Sequence, residues 1–212
     1  MALPISELID IAVEENIPPS NYFTKWYELG EWQFETLKDL GLRPSHTFLD
    51  VGCGPLRLGY KLIPFLDNKN YYGIDAVLPL INVGKNILKR EGITKEYTVL
   101  HNSDFEFDKF NTKFDYAIAA SVFTYSGLDK IQQCVVALKK VMKPASTFLF
   151  TYILQKNDIP VGTIMDGIAP MRFPALRDSS FFEEVARRNN ISFRVLTGKN
   201  HPTGQIVAVF EF

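Results

Sequence analysis

Cysteine is scarce in this chain of 212 residues. Cys53 and Cys134 are the only two, and their spacing fits neither a metal-ligand set nor a disulfide framework. An excess of charge is missing as well. With 23 basic and 24 acidic residues the net charge is −1, which removes the electrostatic drive towards nucleic acid or an anionic membrane. No apolar run approaches a membrane span. Leu3-Pro4 is followed by Glu7 and Asp10 rather than by the apolar stretch of a secretory leader. These absences predict a cytoplasmic protein, monomer or homodimer, with no metal, no nucleic-acid partner and no membrane partner. What is present is ordinary for a globular domain: 46% hydrophobic and 22% charged residues, on a chain long enough to bury one substantial core.

The stretch that organises the chain is T-F-L-D-V-G-C-G-P-L-R-L-G, residues 47–59. Three β-favouring residues lead to Asp50, Gly52 and Gly54 bracket Cys53, and Pro55 opens a run with helical spacing. This pattern predicts a buried strand, a tight turn and a helix whose N-terminal amides face a ligand. A P-loop would need lysine and a hydroxyl directly after Gly59, but Tyr60-Lys61-Leu62 stands there. A dinucleotide fingerprint would need glycine at Arg57, where helix and strand pack closely beneath the pyrophosphate. Acid-x-Gly-x-Gly, Asp50 to Gly54, is what remains.

Taken in order, residues 7–16 read as a helix capped by Ser6 and stopped by Pro18-Pro19. A second helical tract starts near residues 20–21, carrying Phe23, Tyr27, Phe34 and Leu37 at helical spacing. Its aromatic residues pack on the sheet, cover a pocket, or do both. After the glycine turn come a helix over 56–66 and a strand over 70–75 that ends in Asp75. A carboxylate there, 21 residues beyond Gly54, can accept both hydroxyls of a ribose. A helix over 77–90, a strand over 97–102, a strand over 114–122, a helix over 128–142 and a strand over 146–154 follow. This alternation predicts a doubly wound parallel sheet. The ending differs: a helix over 181–190 precedes two strands, 191–196 and 205–212, with no helix between them, so these two pair antiparallel.

With Asp50, Gly52, Gly54, Asp75 and the Asp104-Phe105 pair in this order, the chain from residue 41 onward resembles class I S-adenosylmethionine (SAM) dependent methyltransferases. The resemblance implies an α/β fold with a seven-stranded, mostly parallel sheet ordered 3-2-1-4-5-7-6, the last strand antiparallel. That domain would span residues 42–212, behind a helical cap segment at 1–41. SAM would be the cofactor. It would lie against Asp50, Gly52, Cys53, Gly54 and Arg57 at the first strand, Asp75 and Ala76 at the second, Asp104 and Phe105 at the third, and Ser121 at the fourth.

Ligands of a doubly wound sheet bind beyond the carboxyl ends of its strands. His201, in the loop between the last two strands, is therefore a candidate catalytic group, as is Tyr125. His46 belongs to the opposite edge, and His101, late in the third strand, to packing around the site. Two segments attach near the active edge: residues 22–27, and the Pro- and Gly-containing stretch 155–173. They are predicted to form the acceptor pocket, with Tyr22, Trp26, Tyr27, Met171 and Phe173 lining it. The expected reaction moves a methyl group to an oxygen or nitrogen of a small-molecule acceptor. A methyltransferase acting on protein and a non-catalytic SAM-binding module stay open as alternatives. An aminopropyltransferase shares the fold, but its acidic cluster after the fourth strand is reduced here to Asp129.

Overall fold

In a computed structural model the chain is described over residues 4–14, 25–124, 126–153 and 179–212. The first strand, β1 (Phe48–Val51), is buried along its whole length, as its run of apolar residues around Asp50 requires. It lies between β2 (Tyr71–Asp75) and β4 (Phe114–Ala119), parallel to both. Outward from β2 comes β3 (Thr98–His101), and outward from β4 comes β5 (Met142–Tyr152), again parallel. Then β7 (Ile206–Glu211) runs antiparallel between β5 and β6 (Ser192–Val195). The order is β3-β2-β1-β4-β5-β7-β6, the predicted topology.

Helices cover both faces. On one, α3 (Gly59–Phe65) stands with α4 (Leu78–Arg90); on the other, α5 (Leu128–Val141) stands with α6 (Ser180–Asn189). Two further helices, α1 (Ile5–Glu14) and α2 (Trp26–Asp39), pack on α4 and α3 respectively.

Several boundaries differ from those predicted, each for a local reason. Ser6 lies inside α1 rather than capping it, because the Pro4 carbonyl takes the first helical amides, those of Glu7 and Leu8. No helix follows Pro55 at once: Leu56 sits at φ 59° and α3 begins only at Gly59. The helix predicted over 128–142 and the strand predicted over 146–154 meet without a gap, since α5 ends at Val141 and β5 starts at Met142 and takes in Pro144. Ala145, at φ 59°, marks the irregularity that lets a proline sit in an interior strand, and the β4–β5 register shifts beside it.

One glycine explains how the first turn is held. A Cβ on Gly84 of α4 would lie 2.7 Å from the backbone carbon and oxygen of Pro55. Backbone cannot move aside cheaply, so α4 touches the turn through bare helix.

Candidate active site

The glycine turn is built by strand pairing. Gly52 and Cys53 both donate their amides to the Ile74 carbonyl, at 2.8 and 3.1 Å. The Gly54 amide donates to Asp75 Oδ2 at 2.8 Å, and the Leu56 amide to the Cys53 carbonyl at 3.0 Å. All four N–H groups are therefore committed. The turn's own amides thus serve strand pairing, and the helix begins only beyond them, at Gly59. The turn leaves open backbone at Gly54, where a Cβ would meet nothing within 4 Å. Gly52, at φ 69°, is instead packed on Val122, whose Cγ2 lies 2.4 Å from where its Cβ would stand.

Asp50 points into the core and is only 4% exposed. The Tyr71 hydroxyl donates to its Oδ2 at 2.7 Å. Burial pushes the carboxyl up to about 7; the Tyr71 hydrogen bond and the Arg57 charge oppose the rise, and Asp75 adds to it. Asp50, Gly52, Cys53 and Arg57 line a small cavity of about 30 Å³ together with Gln33 of α2 and Ala120 beyond β4. An acid and a guanidinium thus line the same small cavity. Cys53 takes no reactive part, because burial and the charges of Asp50 and Asp75 push its thiol well up. A larger hollow of about 420 Å³, lined by Glu14, Asn86, Lys89 and Arg90, lies among charged residues of α1 and α4 and includes no strand-end residue.

Asp75 closes β2. Its Oδ2 accepts from Gly54 and its Oδ1 accepts the Val77 amide at 2.7 Å, so one carboxylate joins the first two strand ends. The next carbonyl, that of Ala76, is 3.0 Å from His101 Nε2. Asp104 is exposed on an Asx turn in which its own amide donates to Asn102 Oδ1, and it pairs with Lys130 at 3.5 Å. Phe105, at φ 57°, stands partly buried against Phe107. At the fourth strand, Ser121 has φ 63° and donates its amide to Thr151 Oγ1. Gln205 completes the group: its Oε1 accepts from Thr151, and its amide nitrogen donates to the Ser121 hydroxyl at 2.9 Å.

His201 is on this edge, but not as an exposed base. It is 6% exposed, with its ring 4.6 Å from Trp32 of α2. The Thr203 amide donates to its Nδ1 at 3.2 Å, which occupies the lone pair a base would use and leaves the proton on Nε2. Burial and the Arg57 and Lys25 charges hold its pKa down to about 4. The loop carrying it is fastened to α2 elsewhere too, by Lys25 donating to the Pro202 carbonyl and by Lys199 pairing with Asp39.

Trp26 is not brought to the cleft. It is 1% exposed, in a cluster with Leu8, Ile11, Ala12, Val83 and Ile87, where it binds α1 and α2 to α4. Tyr27 stands edge-on to Tyr60 of α3. Tyr22, Tyr125, Met171 and Phe173 fall outside the described residues. His46 is stacked on Tyr116 before β1, at the opposite edge. Sequence reasoning missed Gln33, Tyr71 and the Thr151–Gln205 pair. None sits in a motif, and only the alternation of buried and exposed positions could have singled out Gln33.

Comparison with known proteins agrees with this geometry. The family described as "Methyltransferase domain" matches residues 42–186. A crystal structure of a SAM-dependent methyltransferase from Clostridium acetobutylicum is similar, with 13% identity, 98% of this chain and 97% of the other covered, and a TM-score of 0.66. One from Aquifex aeolicus is 18% identical over 99% and 98% of the two chains, with a TM-score of 0.63. Magnesium protoporphyrin IX methyltransferase from Synechocystis, solved with bound SAM, is 14% identical over 99% and 98%, with a TM-score of 0.62. With its sheet order, its acid-x-Gly-x-Gly turn and a family match over most of its length, the chain belongs to the class I SAM-dependent methyltransferases, and SAM is its cofactor.

Proposed function

We propose that the enzyme methylates an oxygen or nitrogen of a small, partly apolar acceptor. The observation that carries this reading is the closure of the strand ends by α2 and the β6–β7 loop, through Lys25–Pro202, Trp32–His201 and Asp39–Lys199. A wall of this kind suits an enclosed ligand. The near balance of charge supports it from a second side, since a nucleic-acid groove needs many uncompensated cations. SAM supplies a sulfonium-activated methyl group. The chain's own residues then have to bind, align and exclude water. Asp75 stands where ribose hydroxyls can share its carboxylate, and the open backbone at Gly54 admits close approach. The opposite charges of Asp50 and Arg57 match the ammonium and carboxylate of the amino-acid end.

The test is to supply radiolabelled SAM to the purified enzyme with separate metabolite, protein and RNA fractions. Label should pass to the metabolite fraction with formation of S-adenosylhomocysteine. Label confined to protein or RNA would overturn the acceptor class, and no turnover with any fraction would favour a binding module.

A pH effect follows from Asp50. An ammonium group beside it favours the ionised carboxylate, whereas the ligand-free protein is half protonated near neutrality. Affinity for S-adenosylhomocysteine should therefore drop roughly ten-fold between about pH 8 and about pH 6, with proton release on binding. Calorimetry in buffers of different ionisation enthalpy reads that release directly, and Asp50→Asn should abolish it. For the ligand-free fold the sign is opposite: a raised carboxyl contributes stability that is complete below its ordinary range and is lost as pH rises through about 7.

A further inference from the structure

The ends of β4, β5 and β7 are joined by one chain of hydrogen bonds whose direction is fixed. The Ser121 amide can only donate, so the buried Thr151 Oγ1 accepts it, at 2.7 Å. The Thr151 hydrogen then goes to Gln205 Oε1, at 2.6 Å. That settles the orientation of the Gln205 amide. Its NH₂ donates to the Ser121 hydroxyl at 2.9 Å and to Thr203 Oγ1 at 3.3 Å. Thr203 passes its own hydrogen to His201 Nδ1, 2.9 Å away. The Ser121 hydrogen is left over. Its nearest acceptor, Gln205 Oε1, lies 3.3 Å from the Ser121 oxygen, a long contact to an atom already taken by Thr151.

Ser121 also sits at φ 63°, a conformation serine seldom adopts, and side chains from two other strands hold it there. Strain of this kind gathers at functional sites. On one side of it Ala120 lines the cavity with Asp50 and Arg57, and Val122 packs on Gly52. Its hydrogen bonds run the other way, towards β7 and the His201 loop that α2 covers. The hydroxyl thus stands between the cofactor turn and the closing wall, where methyl group and acceptor must meet. We propose that Ser121 donates its hydroxyl hydrogen to a carboxylate oxygen of the acceptor, and that Gln205 is the positioning residue that aims it. The proposal rests on the methyltransferase reading above and narrows its acceptor.

The lone pairs decide the class. A hydrogen bond occupies the single pair of a neutral amine, whereas a carboxylate oxygen keeps another for the methyl carbon. As that pair forms the C–O bond, the S–CH₃ bond breaks and its electrons stay on sulfur, giving S-adenosylhomocysteine. Anion and sulfonium both end neutral, so no proton has to be placed. His201 could not take one: the Thr203 amide and hydroxyl both donate to its Nδ1, and burial holds its pKa down to about 4. An alcohol or phenol arrives protonated at neutral pH and would need such a base.

The test supplies radiolabelled SAM and a metabolite extract to the full chain. Label transferred by the wild type should be released as methanol in mild alkali, as from a methyl ester. Alkali-stable label, an ether or an N-methyl group, overturns the proposal. Ser121→Gly accepts the positive φ without strain but lacks the hydroxyl. It should lower transfer at saturating SAM about ten-fold or more, while calorimetry shows S-adenosylhomocysteine bound as by the wild type. Gln205→Glu keeps an oxygen for Thr151, loses the amide donor and draws the Ser121 hydrogen to itself, so it should show the same split. Wild-type transfer by Ser121→Gly would mean that only the backbone conformation matters, and would overturn the hydroxyl's role. An equal loss of S-adenosylhomocysteine affinity would move Ser121 to the cofactor and overturn it too. Should Gln205→Glu fail to fold, Ser121→Gly decides alone. Failure of the methyltransferase reading looks different, because the wild type itself would then label nothing and bind no S-adenosylhomocysteine, and the proposal would fall with it.

Discussion

Replacement of Asp75 by alanine is expected to raise the dissociation constant for S-adenosylhomocysteine roughly thirty-fold or more in a protein that still folds. Charge-assisted hydrogen bonds are worth about 1.5–3 kcal/mol each, and a ribose would lose two acceptors at once. The structure adds a second reason. Each Asp75 oxygen already accepts a backbone amide, from Gly54 at 2.8 Å and Val77 at 2.7 Å. The same carboxylate shapes the turn and is the proposed ribose acceptor, so alanine would loosen the one while losing the other. Asp75→Asn helps to separate the two roles, because one amide oxygen remains for a backbone bond while the charge is lost. Calorimetry gives the affinities, and circular dichroism confirms the fold. An unchanged dissociation constant in folded Asp75→Ala would remove Asp75 from the site.

Phe150→Ala should have the largest effect on stability. Phe150 is fully buried on β5, with ring centroids 4.7 Å from Phe210 of β7, 4.9 Å from Phe182 of α6 and 5.5 Å from Phe148. Phe193 of β6 lies 6.3 Å away. One ring thus joins the parallel half of the sheet to the antiparallel ending. Truncating a buried phenylalanine costs about 3–5 kcal/mol through lost burial and the cavity left behind. A domain has only about 5–15 kcal/mol in total. Urea unfolding should show the midpoint falling by that equivalent with an unchanged slope. A loss below about 1 kcal/mol would mean that the cluster closes over the gap.

Much of the architecture was legible before any coordinates. Strand patterns ending at Asp50 and Asp75, helices between them, and two adjacent strands at the end are local properties, set by side-chain periodicity and by turn residues. Local rules therefore recovered the strands and the antiparallel pairing of the last two, whereas the sheet order followed from the resemblance to the methyltransferase family. They also brought attention to the Asp50–Gly54 turn, because glycine at positive φ is a local requirement. Boundaries were less legible where a tertiary contact outweighed local preference. Pro144 entered β5 because the irregularity at Ala145 absorbs it.

Only the folded chain decided how side chains far apart in sequence meet. Trp26 and Trp32 lie six positions apart on α2 by number, yet one seals α1 against α4 and the other holds His201. Aromatic periodicity cannot distinguish them, because the facing surfaces come from elements about 60 and 170 residues away. The amides of the glycine turn are taken by Ile74 and Asp75, which arrive from β2. His201 carries its proton on Nε2 because Thr203 folds back onto Nδ1, and it is buried because α2 lies over its loop. The strands and the turn follow from the sequence by itself, since covalent neighbours determine backbone preference. The protonation, burial and partners of the site follow from packing, since they depend on the field and the contacts of residues that only the fold brings near.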